Sequence, residues 1–364
     1  KDEGALAKDK VRYLGEPVAA VAATTPEIAR NAVGLIKVKY KELPAVLNMH
    51  DAIAADAPII HENLNDYIKI FDAISYGNVM SETKMSEGDV ESAWDDCDLI
   101  VENIYETQAQ NHLPIETCGA LADIDGNGRV ELWSANQSVF RVQANVCETL
   151  GLPMSKLRCL TPKVGAGFGN KMEAHVQPIV VKLALETGLP VKLILSREED
   201  FEIVRARHPS FIRCKTGVKN DGTFIARDVN ILMDGGAYAD DSPGVLGYSL
   251  MCARGPYNIP NTRAEGRVVY TNRLRFAAFR GFGNPQINFA TESQIDEIAD
   301  KLEMDPVEIR LKNTMKSGDR WFGGQVVESN GLDECISKVK EMSNLGNRKT
   351  DDPTSSGSKY RGFG

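Results

Sequence analysis

The sequence lacks the residue patterns of several common functional classes. Its seven cysteines and five histidines stand singly, without C-x-x-C or H-x-x-x-H spacing, so no zinc site or ferredoxin-type iron–sulfur cluster is encoded. An odd number of dispersed cysteines is typical of reduced thiols. No apolar run reaches the roughly 18 residues of a membrane span, and no basic-then-apolar leader opens the sequence. These absences predict a cytoplasmic protein outside the membrane.

Positive charge is also scarce. The 364 residues include 42 lysines and arginines against 51 aspartates and glutamates, which gives a net charge of −9. Because nucleic-acid binding requires a basic face that neutralises phosphates, the sequence predicts no nucleic-acid partner. The length and the hydrophobic content of 42% are those of a globular protein of about two domains.

Glycine-rich corners are the most distinctive feature that is present. The first, Lys163–Glu173, has three alternate glycines between a predicted strand and a predicted helix. The tetrapeptide Gly-Phe-Gly-Asn returns at Gly281–Asn284, again before a helical pattern, and Gly-Phe-Gly occurs a third time at 362–364. Glycine at such a corner lets backbone N–H groups approach an anion closely. The repeat predicts that the first two corners are two walls of one site.

Neither corner has a standard nucleotide-binding signature. The first reads G-x-G-x-G and not G-x-G-x-x-G, and its lysine is not followed by serine or threonine as in a P-loop. A tight turn without a ligand therefore remains the alternative at both corners. Four cations near the corners could hold a buried anion: Lys163, Lys171, Arg275 and Arg280.

Hydrophobic periodicity predicts an α+β chain. The segment up to about residue 62 is predicted as a strand (Pro17–Ala23), a helix capped by Thr25, and a second strand (Val38–Tyr40). Residues 63–90 are predicted as a connection. Later strands are predicted at Leu99–Gln108, Gly119–Ile124, Val130–Ser134, Val191–Leu195, Phe211–Val218, Thr223–Met233 and within Thr262–Arg275. Later helices are predicted at Ser138–Leu150, Ala174–Leu185, Ile287–Leu302 and Pro306–Lys312, and Ser343–Tyr360 has linker composition.

Few side chains are candidates for chemistry, and no complete catalytic apparatus is visible. Arg280 could grip an oxo or phosphate group with two hydrogen bonds, and its alternative is an ion pair with a nearby acid. Phe168 and Phe282 lie between glycines and could face a planar ligand, or pack into the core. Gln137, between a strand and a helix, would by itself be only a neighbour of a helix cap.

Four sequence motifs resemble the molybdopterin-binding subunit of the xanthine dehydrogenase/aldehyde oxidase family, and the resemblance covers nearly the whole chain. The motifs are Val164-Gly-Ala-Gly-Phe-Gly-Asn-Lys171, Ala278-Phe-Arg-Gly-Phe-Gly-Asn-Pro-Gln286, Ser196-Arg-Glu-Glu-Asp200 with Arg207-His-Pro209, and Val11-Arg-Tyr-Leu-Gly-Glu-Pro-Val-Ala-Ala-Val21.

The resemblance implies an α+β fold of two parts. Residues 1–62 would be the end of an α/β hammerhead domain, and residues 80–345 the first mixed α/β molybdopterin-binding domain. Residues 346–364 would be a linker into a second molybdopterin-binding domain that is absent from this chain.

The resemblance also assigns roles at the two corners. In the family, the residues matching Gln137 and Arg280 hydrogen-bond the ligands around molybdenum, and the loop matching Gly167–Gly169 lies beside the apical ligand. The phenylalanine matching Phe282 stacks on the substrate ring. No side chain of this chain is expected to bind the metal, because the pterin dithiolene does so.

The implied activity is that of a molybdenum hydroxylase. The family hydroxylates an N-heterocycle or an aldehyde with oxygen from water, assisted by a glutamate as general base. The implied cofactor is molybdenum–molybdopterin, as such or in its cytosine dinucleotide form. Electrons would leave through 2Fe–2S clusters and FAD on partner domains or subunits. The implied hetero-oligomer contains a second molybdopterin-binding half, an iron–sulfur subunit and an FAD subunit.

Two departures from the family pattern affect activity and substrate. The glutamate base belongs to the second half, so this chain alone is predicted to be inactive. Purine-oxidising members have a glutamate where this chain has Met172 and an arginine where it has Tyr248, counting back from Tyr257. Both are predicted substrate-side residues, and they make another N-heterocycle or an aldehyde as good a candidate as a purine.

Two other functional classes remain open at the level of sequence. A non-catalytic scaffold would keep the fold and only assemble partner subunits. A generic phosphate-binding module would bind simple nucleotides without any partner chain.

Overall fold

The computed structural model describes residues 2–67 and 73–343, which contain two separate sheets of four or more strands. The strands are β1 (Ile74–Tyr76), β2 (Val79–Glu87), β3 (Leu99–Thr107), β4 (Gln110–Asn111), β5 (Gly119–Ile124), β6 (Val130–Ser134), β7 (Leu157–Leu160), β8 (Val191–Ile194), β9 (Ala206–Arg207), β10 (Ser210–Val218), β11 (Phe224–Gly236) and β12 (Asn261–Tyr270). The helices are α1 (Pro26–Leu35), α2 (Met49–Ala52), α3 (Val90–Ala93), α4 (Val139–Leu150), α5 (Gln177–Thr187), α6 (Arg197–Ile203), α7 (Ser242–Met251), α8 (Asn284–Lys301), α9 (Pro306–Asn313) and α10 (Leu332–Ser343).

The larger sheet has six strands in the order β1-β2-β12-β11-β10-β3. Only the β11–β12 pair is parallel, and the other four pairs are antiparallel. Helix α7 packs on β12 and β2, while α8 packs on β3 and β10. The apolar core between α7 and the sheet includes Leu246, Leu250, Ile231 and Val268, each at most 1% exposed.

The smaller sheet has four strands in the order β7-β6-β5-β8. Helices α4 and α5 pack on it and on each other. Their apolar side chains, among them Val142, Val146 and Val180, meet Leu132 of β6 in a second buried core. Because the first glycine corner joins β7 to α5, this layer determines where that corner lies.

Local residue chemistry explains the element boundaries that the sequence predicts correctly. The Thr25 hydroxyl accepts a hydrogen bond from the Ile28 N–H (3.2 Å), with proline at the first turn of α1. In the β5–β6 hairpin, Asp125 Oδ1 accepts from the N–H groups of Asn127 (2.8 Å) and Arg129 (2.9 Å). The predicted helices α4, α5, α8 and α9 are all present.

Two predicted strands in the first segment, Pro17–Ala23 and Val38–Tyr40, are wrong. Both stretches lack strand structure, and Val38 and Tyr40 are 45% and 65% exposed. A strand requires a hydrogen-bonded neighbour, and the described ranges provide none for these stretches. Helix α1 also has no buried residue.

The predicted connection over residues 63–90 is wrong as well, because it contains β1 and β2. Strand β2 lies inside the large sheet, paired with β1 and β12. The sequence also failed to predict α2, α3, α6, α7 and α10.

The segment that leads into the second corner is irregular. Residues 275–279 are not a strand but an irregular segment with a single bridge between Phe276 and Ala206. The predicted linker beyond Ser343 and the third Gly-Phe-Gly lie outside the described residues. In residues 2–67 and 73–343, no helix is long and apolar enough to cross a membrane.

Candidate functional site

The first glycine corner is a tight turn with left-handed residues. The φ angles of Phe168 and Gly169 are +56° and +110°, and the Asn170 N–H donates to the Gly167 carbonyl (2.8 Å). A left-handed phenylalanine is uncommon because its Cβ crowds the backbone. Phe168 is 41% exposed, so its ring is available to a ligand or a partner surface.

The second corner repeats this geometry. The φ angle of Phe282 is +48° between Gly281 and Gly283, both at +96°. The Phe282 N–H donates to the Phe279 carbonyl (2.7 Å), and α8 begins at Asn284. A left-handed phenylalanine followed by a left-handed glycine is therefore common to both corners.

The structure brings the two corners into direct contact. The Arg280 N–H donates to the Phe168 carbonyl (2.8 Å). A Cβ at Gly169 would lie 2.3 Å from the Ala278 carbonyl oxygen, far inside van der Waals contact. Glycine at position 169 is what allows the two backbones to approach so closely.

Gln137 lies against the first corner just before α4. Its Oε1 atom accepts hydrogen bonds from the N–H groups of Gly169 (2.9 Å) and Lys171 (3.2 Å), and its own N–H donates to the Lys171 carbonyl (2.8 Å). Because two of these bonds engage the side-chain oxygen, they fix the orientation of the amide. Gln137 is an exposed residue, and its Nε2 group makes no hydrogen bond within residues 2–67 and 73–343.

The Phe168–Gly169 peptide unit connects the two strongest candidates from the sequence. Its carbonyl accepts from Arg280 and its N–H donates to Gln137. The Arg280 side chain is exposed and makes no ion pair within the described ranges, so the ion-pair alternative has no support there.

Two of the four cations proposed as anion ligands are already paired. Lys171 is 1% exposed and its ammonium group forms an ion pair with Glu116. Arg275 is buried and binds Glu3 and the Nδ1 atom of His175. They do not supply free charge for a bound anion, whereas Lys163 and Arg280 are exposed.

Three residues are predicted to lie on the substrate side: Met172, Tyr248 and Phe282. Tyr248 and Phe282 are in ring contact, whereas Met172 belongs to the first corner. The ring centroids of Tyr248, on α7, and Phe282 lie 6.3 Å apart at an interplanar angle of 64°. Tyr248 is 44% exposed, while Phe282 packs partly on the large core. Met172 is half-buried at the end of the first corner, where its N–H donates to the Gly169 carbonyl (3.3 Å).

Three residues that hold the corners escape prediction from the sequence. The Arg207 guanidinium donates to the Arg280 carbonyl (3.0 Å) and lies 4.0 Å from the Phe279 ring centroid. The His112 ring also stacks on Phe279, at 4.1 Å. Glu116 accepts from the Gly165 N–H (2.9 Å) and from Lys171. Of the three, only Arg207 belongs to a recognisable motif, Arg-His-Pro, which by itself indicates no role.

A charged cavity of about 230 Å³ lies beside α4, α5 and the N-terminal segment. Carboxylate oxygens of Glu173, Asp240 and Asp241 lie within 4.8 Å of one another. Arg141 binds Glu173 and Asp241, and Arg205 binds Asp240 (2.8 Å). Burial, together with the neighbouring Asp240, raises the pKa of Glu173 to about 7. The cluster is a network of ion pairs next to the corner residue Met172.

Comparison with known domains identifies the class to which this fold and site belong. The family model of the molybdopterin cofactor-binding domain matches residues 72–314, which include both corners and Gln137. The model of the aldehyde oxidase and xanthine dehydrogenase a/b hammerhead domain matches residues 1–44.

Known proteins that are similar in sequence or structure belong to the same class of molybdopterin-binding proteins. The nicotinate dehydrogenase large molybdopterin subunit of Eubacterium barkeri is 36% identical over 342 residues, which are 94% of this chain and 77% of that subunit. The xanthine dehydrogenase molybdenum-binding subunit of Escherichia coli O157:H7 is 33% identical over 99% of this chain and 46% of that protein. The solved aldehyde oxidoreductase from Desulfovibrio gigas has a TM-score of 0.81 at 31% identity, over 89% of this chain and 34% of that one.

The chain belongs to the xanthine dehydrogenase/aldehyde oxidase family of molybdenum hydroxylases, as a molybdopterin-binding subunit. It spans less than half of two of the three relatives named above. The predicted α+β class, with hammerhead and molybdopterin-binding parts, is confirmed. The relatives are named as dehydrogenases and oxidoreductases. These names support the prediction of an enzyme and give no support to the alternative of a non-catalytic scaffold.

Proposed function

We propose that the two joined corners bind the molybdenum–molybdopterin cofactor and form one wall of a hydroxylase site. The supporting observation is the Phe168–Gly169 peptide unit, which connects the Gln137 amide to Arg280. Both side chains then offer donors that have no partner in the described part of the chain. The oxygen and sulfur acceptors of such a cofactor fit these donors.

Each site residue has a role that its own geometry supports. The Gln137 NH2 group and the Arg280 guanidinium would donate to ligands around the metal, and Gly167 leaves room for the Gln137 amide, since a Cβ there would lie 2.3 Å from Oε1. Phe168 and Gly169 would form the wall beside them. When bound, the cofactor supplies the redox chemistry that converts a C–H bond to C–OH with oxygen from water.

We infer that the substrate is an N-heterocycle or an aldehyde that is less polar than xanthine. Phe282 and Tyr248 form a mostly apolar aromatic pair, and Met172, at the end of the first corner, adds a thioether. None of these three side chains carries a charge that could bind the polar groups of a purine. The relative named for nicotinate agrees with a heterocyclic substrate.

We infer that the active enzyme is a hetero-oligomer. A second molybdopterin-binding half would supply the general base, and partner subunits or domains would hold 2Fe–2S clusters and FAD. The named relatives include subunits, which supports an assembly of this kind. The cofactor would be molybdopterin or its cytosine dinucleotide form. A cytoplasmic location is supported by seven cysteines that are all free of disulfides.

We propose domain boundaries from the family resemblance and from the membership of each sheet. The hammerhead part extends to about residue 62, and the linker corresponds to residues 346–364. Because β1 and β2 belong to the large sheet, the first molybdopterin-binding domain begins near residue 73 and not at 80, and extends to about 345.

We also infer that this chain alone does not catalyse hydroxylation. The carboxylates beside the first corner, Glu116 and Glu173, are both held by cations, Lys171 and Arg141 respectively. Neither is therefore a free base facing the joined corners.

The test is Arg280→Lys in the assembled enzyme. Lysine keeps the charge but loses the planar two-point contact, so turnover should fall about tenfold or more, on the order of 1.4 kcal/mol, at unchanged molybdenum content. The matched control is Arg158→Lys, which alters an exposed ion pair with Glu131 on the small sheet. Wild-type turnover in Arg280→Lys with full metal content would refute the assignment.

A further inference from the structure

The loop between β4 and β5 contacts both glycine corners through two of its residues. Glu116 Oε2 accepts from the Gly165 N–H (2.9 Å), and the Glu116 N–H donates to the Gly165 carbonyl (3.3 Å). Four residues earlier, His112 Nε2 lies 2.8 Å from the carbonyl oxygen of Ala278, the atom that approaches Gly169. A single short loop therefore bonds to the backbone of each corner.

Glu116 also binds the buried side chain of Lys171. Lys171 is 1% exposed, while Glu116 is 40% exposed, so the carboxylate is the outer partner of the pair. Partial burial opposes ionisation of Glu116, but hydrogen bonds from Lys171 and the Gly165 N–H outweigh it and lower the pKa of Glu116. The Glu116 carboxyl group is therefore ionised at neutral pH.

The backbone of Lys171 in turn holds Gln137. Its carbonyl accepts from the Gln137 N–H (2.8 Å), and its N–H donates to Gln137 Oε1 (3.2 Å). The chain of contacts runs from Glu116 through Lys171 to the amide that we assign to the cofactor. Glu116 itself needs no contact with any ligand.

His112 is fixed as firmly at the other corner. Its ring stacks on Phe279 at 4.1 Å and is buried. Burial lowers the pKa of His112 to about 4, so the ring is neutral near pH 7 and carries one N–H. The shorter contact, at Nε2, is the one that reaches Ala278, compared with 3.2 Å from Nδ1 to the Arg205 carbonyl.

We propose that the loop containing His112 and Glu116 positions the two corners relative to each other, with Glu116 orienting the Gln137 amide through Lys171. Glu116 is a positioning residue and not a catalytic one, and the inference rests on the proposed cofactor role of Gln137. It predicts that loss of the Glu116 charge changes the geometry of the site before it changes the fold.

Hydrogen exchange on the full chain tests the contacts without any cofactor. Glu116→Gln keeps the size of the side chain but leaves the Lys171 ammonium buried without a counter-charge. Amide exchange in residues 163–171 should accelerate at least tenfold, while exchange in α4 and β11 stays at the wild-type rate. The control Glu186→Gln removes an exposed ion pair with Lys182 and should change neither region. Wild-type exchange in residues 163–171 of Glu116→Gln would overturn the proposal.

Kinetics of the assembled enzyme separate positioning from general stability. We expect Glu116→Gln to lower kcat at least tenfold, with KM changed less than threefold and normal molybdenum content. The unpaired Lys171 charge should lower the melting temperature of Glu116→Gln. The double variant Glu116→Gln/Lys171→Met removes that charge, so its melting temperature should return towards the wild-type value while kcat stays low. If kcat recovers together with the melting temperature, Glu116 is only structural and the proposal fails. If the wild-type assembly lacks hydroxylase activity, the proposed function fails, and the exchange measurement still decides whether Glu116 holds the first corner in place.

Discussion

The contact between the two glycine corners makes Gly169→Ala a sharp perturbation. The φ angle of Gly169 is +110°, which an alanine adopts only with strain of about 1–2 kcal/mol. The new Cβ would also lie 2.3 Å from the Ala278 carbonyl oxygen and 2.8 Å from its carbon. These are backbone atoms, so the clash cannot be relieved by a side-chain rotation.

Relief of the clash requires the corners to separate. Separation breaks the Arg280 to Phe168 backbone hydrogen bond, which is worth about 1 kcal/mol. Together with the backbone strain, we expect a loss of roughly 3 kcal/mol. The cofactor wall would open at the same time, so the molybdenum content of the assembled enzyme should fall.

The matched control is Gly188→Ala at the end of α5. Gly188 also has a positive φ angle, +66°, but no atom lies within 4 Å of the position that its Cβ would take. Its replacement should cost only about 1 kcal/mol from backbone conformation. Thermal unfolding of both variants should therefore show a shift about three times larger for Gly169→Ala. Equal shifts, with normal molybdenum content in Gly169→Ala, would refute the idea that the corners depend on close contact.

Three further predictions concern substrate, assembly and pH. With Tyr248 and Met172 at the substrate side, kcat/KM for xanthine should be lower than for a less polar heterocycle or an aldehyde, and a substrate panel led by xanthine would contradict this. Purified chain alone should contain little molybdenum and show no dye-linked hydroxylase activity, with both restored by co-expression of a second half; stoichiometric metal with turnover would show that a base is present here. Because the pKa of Glu173 is raised to about 7 from 4.5, the folded state binds the extra proton between these values, and stability should fall as pH rises from about 5 to 7. Glu173→Gln should flatten this slope in pH-dependent unfolding whereas Glu131→Gln should keep it, and an unchanged slope in Glu173→Gln would exclude Glu173 as its source.

Sequence reasoning succeeded where structure depends on neighbours along the chain. The hairpin at Asp125 and the cap at Thr25 are built from side chains that bind backbone groups within four residues. The glycine corners are predictable for a similar reason, since glycine marks a place where the backbone turns tightly or is closely approached.

Strands depend on partners that the local pattern does not show. Val38–Tyr40 alternates apolar and charged residues as a strand does, but no neighbour in residues 2–67 or 73–343 pairs with it. The sequence pattern does not predict strand β2, because Ser81, Glu82 and Lys84 interrupt the alternation of apolar residues. Its place between β1 and β12 makes it a strand regardless of that pattern.

The candidate site was only partly visible in the sequence. Gln137 and Arg280 were located by local context and by family resemblance. Glu116, His112 and Arg207 act through contacts with residues far away in the chain, such as Gly165 and Ala278. No spacing rule connects such pairs, so only the folded chain reveals them.

The backbone hydrogen bond between the corners also has a consequence for the order of folding. Phe168 follows β7 of the small sheet and Arg280 follows β12 of the large sheet, so this bond requires these two parts of the chain to have docked against each other. Contacts between such distant parts of a chain form late, because closing a long loop costs conformational entropy before stabilising contacts have formed. A nascent or partly folded chain therefore lacks the joined corners. On the proposed function, we expect the cofactor to bind only after this contact has formed.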